Sequence, residues 1–136
     1  MGCRGGSPSA PPLSPVSALK APSLRADLPA FQAESAYVWI ETQLAFGPRI
    51  PGTPAHRKCG DWLVAKLRSY GAQVYEQTGI FKGTPVRNII ASFGGKDSTR
   101  KRLLLSAHWD SRPYADQEAR DKRQPVPGAN DGASGV

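Results

Sequence analysis

Two short stretches of the 136-residue chain concentrate the side chains that could do chemistry. The first, His108-Trp109-Asp110, directly follows the apolar run Leu103-Leu104-Leu105-Ser106-Ala107. Residues two apart in an extended segment share a side, so His108 and Asp110 point together and Trp109 faces away. An imidazole can bind zinc, and a carboxylate beside it can orient the ring through a hydrogen bond. A hydrogen-bonded polar pair at a strand end would read the same way. The second stretch is Pro127-Gly128-Ala129-Asn130-Asp131-Gly132-Ala133-Ser134-Gly135-Val136. Small residues surround its one carboxylate, so backbone can approach closely and Asp131 can be aimed into a crevice. A glycine-rich turn with an incidental Asp is the plainer alternative. Other chemistries fail on spacing. Gly132-Ala133-Ser134 is followed at once by Gly135, which breaks the Gly-x-Ser-x-Gly of a nucleophile elbow. Gly95-Lys96-Asp97-Ser98 lacks the longer glycine frame of a phosphate loop.

The elements that must position these residues can be read from period and punctuation. Asp27 can cap a helix with Pro29 in its first turn; Phe31, Tyr37, Val38, Ile40, Leu44 and Phe46 give it an apolar side, and Gly47-Pro48 ends it. After the loop PRIPGT, Thr53-Pro54 starts a second helix from Ala55 to Tyr70. Its apolar residues Cys59, Trp62, Leu63, Leu67 and Tyr70 recur at steps of three and four, and Gly71 stops it. Ala72 to Thr78 and Val86 to Phe93 then read as strands. Leu103 to Ala107 is apolar without alternation, which suits a strand covered on both faces in the middle of an α/β sheet. A strand there would project His108 and Asp110 from its end, where open α/β sheets place their ligand crevices.

Composition bounds the rest. Gly2 to about Arg25 is Gly, Ser, Pro and Ala with scattered Leu and Val, too poor in large apolar side chains to offset its ordering entropy. Residues 1–26 therefore read as a disordered tether and 27–136 as the folding part. The net charge of +7 is dispersed: the densest basic stretches, Lys96 to Arg102 and Arg120 to Arg123, are each interrupted by an Asp and carry no interleaved aromatics. A solvated basic surface accounts for this better than nucleic-acid binding. Cys3 and Cys59 form neither a framework nor a CxxC pair. Gly2-Cys3 before a Gly/Ser/Pro stretch resembles the mature end of a bacterial lipoprotein, with a membrane tether through Cys3; a lone tail cysteine is the other reading. N-myristoylation fits poorly, because Gly6 stands where that motif wants Ser or Thr. No run approaches the roughly 20 apolar residues of a membrane span.

Taken together and in order, FGPRIPGTPAHRKCGDWLVAKLRSYGAQV, VRNIIAS, LLLSAHWDSRPYAD and PVPGANDGASGV resemble the bacterial glutaminyl-peptide cyclotransferases. These share a superfamily with the bacterial leucyl aminopeptidases, the co-catalytic zinc exopeptidases of peptidase family M28. The resemblance runs from about Phe31 to Val136. It implies a three-layer αβα sandwich with a mixed central sheet, zinc at the carboxyl ends of the strands, a peptide or protein N-terminus as substrate, and an extracytoplasmic location. In the aminopeptidases the His of His-x-Asp binds one zinc, its Asp orients that site, and the Asp of the glycine-rich turn bridges two zincs. Those positions are His108, Asp110 and Asp131 here. In the cyclotransferases a single zinc is held by the glycine-turn Asp with a Glu and a His from further along the chain. Asp131 is thus a ligand under either reading, and His108 only in a two-zinc site. Aminopeptidases usually place a second Asp after the bridging one, where this chain has Gly132, so the resemblance favours the cyclotransferases. A non-catalytic domain keeping the exopeptidase fold is the remaining alternative.

The implied reaction is attack by the free α-amine of an N-terminal glutamine on its own side-chain carboxamide, with zinc polarising the carbonyl and a Glu moving the protons, to give pyroglutamate and ammonia. In an aminopeptidase a zinc-activated water would attack the first peptide bond instead. Either chemistry needs a base Glu and further ligands, expected beyond Val136. Zinc catalysis normally uses three protein ligands. The 136-residue chain is therefore expected to bind zinc poorly, to turn nothing over and to expose Leu103 to Leu105. His56, the only other histidine, is expected on a helix surface.

Overall fold

The computed structural model describes residues 29–95, 99, 101–117 and 121–136. The tether, Cys3, Asp27 and parts of both basic stretches lie outside them. Gln32–Val136 form one unit built on two helices and a hairpin.

The second helix follows the sequence most closely. It spans Pro54–Ser69; the Thr53 side chain accepts from the His56 amide at 3.2 Å, and Pro54 occupies the first turn, where its missing N–H leaves no bond unmade. Cys59, Leu63 and Val64 on this helix (α2) are buried. Cys59 and Leu63 join Trp109 in the core, with Phe46, Trp62 and Ile89 packed around them. Burial pushes the Cys59 thiol up to about 11, which marks a structural cysteine and not a reactive one.

The first helix (α1) spans Ala33–Ala45, with Gln32 at its N-cap giving no side-chain bond. Its expected apolar side is buried only in part: Ile40, Leu44 and Phe46 are half-buried, Phe46 against the core. Phe31, Tyr37 and Val38 are exposed, while Gln43 is buried and donates from Nε2 to the Ala133 carbonyl at 3.1 Å. Apolar period marks a face able to bury, but burial needs an opposing element. Among the described residues α1 meets the single 3-10 turn Ala133–Gly135, and that contact falls on Gln43. Trp39 reaches α2 instead, its ring 6.0 Å from Trp62.

The two strands are longer than their sequence signals, β1 Gln73–Phe81 and β2 Thr84–Ser92, antiparallel with Phe81 opposite Thr84. Lys82 and Gly83 between them both have positive φ, 48° and 79°, as a two-residue type I′ turn requires. Arg87 on β2 fastens the hairpin to α2. It donates from Nε to Glu76 of β1 at 2.9 Å and pairs through Nη1 with Asp61 of α2 at 2.8 Å.

The expected central strand, Leu103 to Ala107, is a correction. The segment makes no ladder, and Leu103, Leu104 and Leu105 are 85%, 86% and 83% exposed. A cavity of about 480 Å³ separates β2, from Val86 to Ala91, from the segment Leu104 to Asp110. A strand needs a backbone partner within hydrogen-bonding reach, and none of the described residues supplies one here. The architecture seen is a mixed α/β arrangement with one two-stranded antiparallel sheet. No helix among the described residues is long and apolar enough to cross a membrane.

Candidate metal centre

The anchor of the site is Trp109. Its side chain is buried against α2, and the ring of His56 stacks on it at 4.0 Å with planes 16° apart. His56 is therefore a core residue, correcting the surface expectation: it lies in the first turn of α2, on the face the indole covers. Burial, the largest influence, lowers its pKa; Asp110 opposes that, and Arg87 and Arg57 reinforce it.

With the indole turned inward, its neighbours turn outward. His108 and Asp110 are both part-exposed, with His108 Nδ1 3.4 Å from Asp110 Oδ1 and 3.2 Å from the Asp110 carbonyl. On the other side of the ring, His108 Nε2 stands 2.9 Å from Asp131 Oδ1. Two residues 23 positions apart in the sequence thus face each other across one hydrogen-bond length. Asp131 Oδ2 faces Arg112 Nε at 3.6 Å, and Arg112 also pairs with Asp116 at 2.9 Å.

This arrangement has a chemical consequence. Both ring nitrogens of His108 face oxygen acceptors, yet a neutral imidazole carries only one N–H. An imidazolium would donate to both carboxylates; a neutral ring with Nδ1–H directed to Asp110 would leave the Nε2 lone pair facing Asp131, where a cation could lie between them. A metal ion satisfies that pairing, and Asp110 then fixes the tautomer that leaves Nε2 free to ligate. Zinc bound to an imidazole and a carboxylate at about 2.0–2.1 Å holds the two donor atoms about 3.3 Å apart at the tetrahedral angle. The observed 2.9 Å is a few tenths short of that and is the length of an ordinary hydrogen bond. Two donors are nonetheless fewer than a catalytic zinc takes. No group of three His, Cys, Asp or Glu that could hold a metal occurs among the described residues.

The glycine turn is shaped to make this approach. Gly132 has φ +118°, and a Cβ there would lie 2.8 Å from the Asp110 carbonyl oxygen and 3.5 Å from His108 Cε1. Only a residue without a side chain lets the turn lie against the His108 segment.

Sequence reasoning missed Arg49, which was only one letter of a loop. Its side chain is fully buried and donates to the carbonyls of Trp109 at 2.8 Å, Pro127 at 3.0 Å and Gly128 at 2.6 Å. Burial lowers its pKa. A charged residue between two prolines gives no signal of burial, because its partners are carbonyls 60 to 79 positions away.

Residues 88–136 match the model of peptidase family M28. The matched segment begins within β2 and contains His108, Asp110 and Asp131. The chain is also similar to a solved zinc-dependent exopeptidase from Parabacteroides distasonis, with 50% identity and a TM-score of 0.72 over 79% of this chain and 38% of that one. Porphyromonas gingivalis glutaminyl cyclase is 50% identical with a TM-score of 0.71, over 77% of this chain and 39% of its own. The Escherichia coli protein YfbL, which is uncharacterized, is 38% identical over 79 residues. The chain spans less than two-fifths of the solved structures named here and 23% of YfbL.

Proposed function

We propose that this chain supplies part of a zinc site in an enzyme acting at peptide N-termini, and that the enzyme is a glutaminyl-peptide cyclotransferase. The observation that carries the reading is that the fold brings Asp131 to 2.9 Å from His108 Nε2, with Asp110 on the other ring nitrogen, all three within the segment that matches the M28 model. Asp131 would hold the zinc through Oδ1. Bound there, zinc supplies Lewis acidity toward a substrate carbonyl oxygen. Asp110 holds His108 through Nδ1, and Arg112 balances the second oxygen of Asp131. In the substrate, the α-amine of an N-terminal glutamine closes on its carboxamide carbon, the new C–N bond forms and ammonia leaves.

Gly132 supports the cyclotransferase over the peptidase. The position where aminopeptidases usually carry a second Asp has no room for a side chain, a Cβ meeting the Asp110 carbonyl at 2.8 Å. One observation favours the second reading, a dinuclear aminopeptidase: His108 Nε2 is aimed at Asp131 as a second metal would require. The three-layer αβα sandwich, the extracytoplasmic location and attachment through Cys3 belong to the same proposal, supported by the likeness to bacterial glutaminyl cyclases and by the tether-like composition of residues 1–26.

The test uses the native gene product containing this chain and peptides that begin with Gln or with Leu. Ammonia release without chain shortening, abolished by Asp131→Asn, is expected. Release of free leucine would replace the cyclotransferase by the peptidase. Full activity in Asp131→Asn would remove the zinc reading altogether.

A further inference from the structure

We propose that the gap between β2 and the run Leu103 to Ala107 is the seat of one further β-strand, supplied by polypeptide outside these 136 residues, so that the run is the second neighbour of β2 in the complete sheet and not the first. The inference does not depend on the zinc reading. One edge of β2 is paired with β1. In a two-residue hairpin the residues flanking the turn, here Phe81 and Thr84, form a hydrogen-bonded pair, and bonded and unbonded positions then alternate along the ladder. Val86, Asn88 and Ile90 therefore turn their N–H and C=O groups toward β1, and Arg87, Ile89 and Ala91 turn theirs to the outer edge. Pro85, with no N–H to offer, falls in the outward set just before the cavity wall begins. Among the described residues no backbone group bonds to that outer edge or to Leu103 to Ala107. Two unpaired backbones thus wall one cavity, Val86 to Ala91 on one side and Leu104 to Asp110 on the other.

The size of the gap selects the occupant. Spread along the six residues from Val86 to Ala91, about 20 Å of strand, a volume of about 480 Å³ leaves a cross-section of about 24 Å², close to 5 Å on a side. Neighbouring strands lie about 4.7–4.9 Å apart, so this is the width of one extended chain, whereas a helix needs about 10 Å. The walls select its character. Leu103, Leu104 and Leu105 are more than four-fifths exposed at successive positions, so the run is apolar on both faces, and the strand that lies beside it in a sheet covered on both sides is apolar on both faces too. The source is further chain. The solved exopeptidase and glutaminyl cyclase match this chain with TM-scores of 0.72 and 0.71, yet it makes up only 38% and 39% of them, so a framework like this one sits inside much longer proteins. A second copy could offer its own leucine run only by removing one wall of its own gap. His108 follows the run directly, and the cavity reaches His56, His108 and Asp110, so the inserted strand braces the segment that carries the polar pair.

Amide hydrogen exchange in the metal-free native gene product containing this chain tests the seat, with the 136-residue chain as the comparison. Arg87, Ile89 and Ala91 should exchange freely in the 136-residue chain and at least about 100-fold more slowly in the native product, because amides inside a central sheet open only with the fold. Val86, Asn88 and Ile90, bonded to β1, are the internal reference. Distance separates insertion from simple closure of the gap. An inserted strand keeps β2 and the leucine run two spacings apart, about 9.5 Å, beyond the roughly 7 Å at which a disulfide can bridge two Cα atoms. Ile90→Cys combined in turn with Leu103→Cys, Leu104→Cys and Leu105→Cys should therefore give no linked peptide on oxidation, while Ile90→Cys with Tyr75→Cys, its partner on β1, should give one. Free exchange at Arg87, Ile89 and Ala91 in the native product overturns the proposal. A link from position 90 to the leucine run also overturns it, since the run would then close directly on β2. So does protection that vanishes on dilution or appears only with added substrate peptide, because the gap would then belong to a second copy or to substrate. None of these readouts involves zinc or turnover, so the failure of this proposal and that of the zinc reading are told apart.

Discussion

Replacing Gly132 by alanine tests whether the turn must lie as close to the His108 segment as the structure places it. Two costs add. The backbone is held at φ +118° and ψ −69°, outside the regions open to a residue with a side chain, and such a conformation costs about 1–3 kcal/mol. The new methyl group would also sit 2.8 Å from the Asp110 carbonyl oxygen, and forcing an atom into a packed site costs about 1–3 kcal/mol more. Taking about 3 kcal/mol for the sum, the folded-to-unfolded ratio falls roughly 100-fold. Gly71→Ala separates the two costs, since Gly71 has φ +83° and an added Cβ there would meet nothing within 4 Å. It should lose only the backbone share, about 1–2 kcal/mol. Urea unfolding followed by tryptophan fluorescence measures both, with an unchanged slope showing that the unfolded states match. A Gly132→Ala protein no less stable than Gly71→Ala would refute the close approach. With it would go the physical argument that this turn excludes the second Asp of an aminopeptidase.

Two further outcomes follow from the packing. Because burial lowers the His56 pKa, the unfolded chain takes up a proton below about pH 6.5 that the folded chain resists. Stability should therefore be fully present above that pH and decline as pH falls toward the lowered folded-state value. His56→Phe should flatten this decline between about pH 7.5 and 5.5, and equal slopes for the two proteins would show that His56 is not the group responsible. Leu104→Lys should change stability by less than about 0.5 kcal/mol, because the leucine is 86% exposed, while reducing self-association measured by light scattering. A loss of about 2 kcal/mol or more would mean that the leucine is packed after all.

The sequence alone determined whatever depends on near neighbours. Thr53-Pro54 and Gly71 bracket α2 because capping, proline geometry and a left-handed stop are local properties, and the three-and-four spacing of Cys59 and Leu63 marks the face that the core takes. The alternation at His108-Trp109-Asp110 likewise put the polar pair on one side and the indole on the other. Tertiary structure decided what depends on distant partners. The burial of Arg49 rests on carbonyls 60 or more positions away, and Gln43 is buried because Ala133 arrives above it. His56 leaves the surface only because Trp109 lies on it. The strand expected at Leu103 to Ala107 failed for the same reason from the other direction. An apolar run states a preference for cover, but a ladder forms only where another backbone comes within reach, and across the gap from β2 none of the described residues does. The 2.9 Å between His108 and Asp131 belongs to this second class: the letters named the two side chains, and the folded backbone set the distance between them.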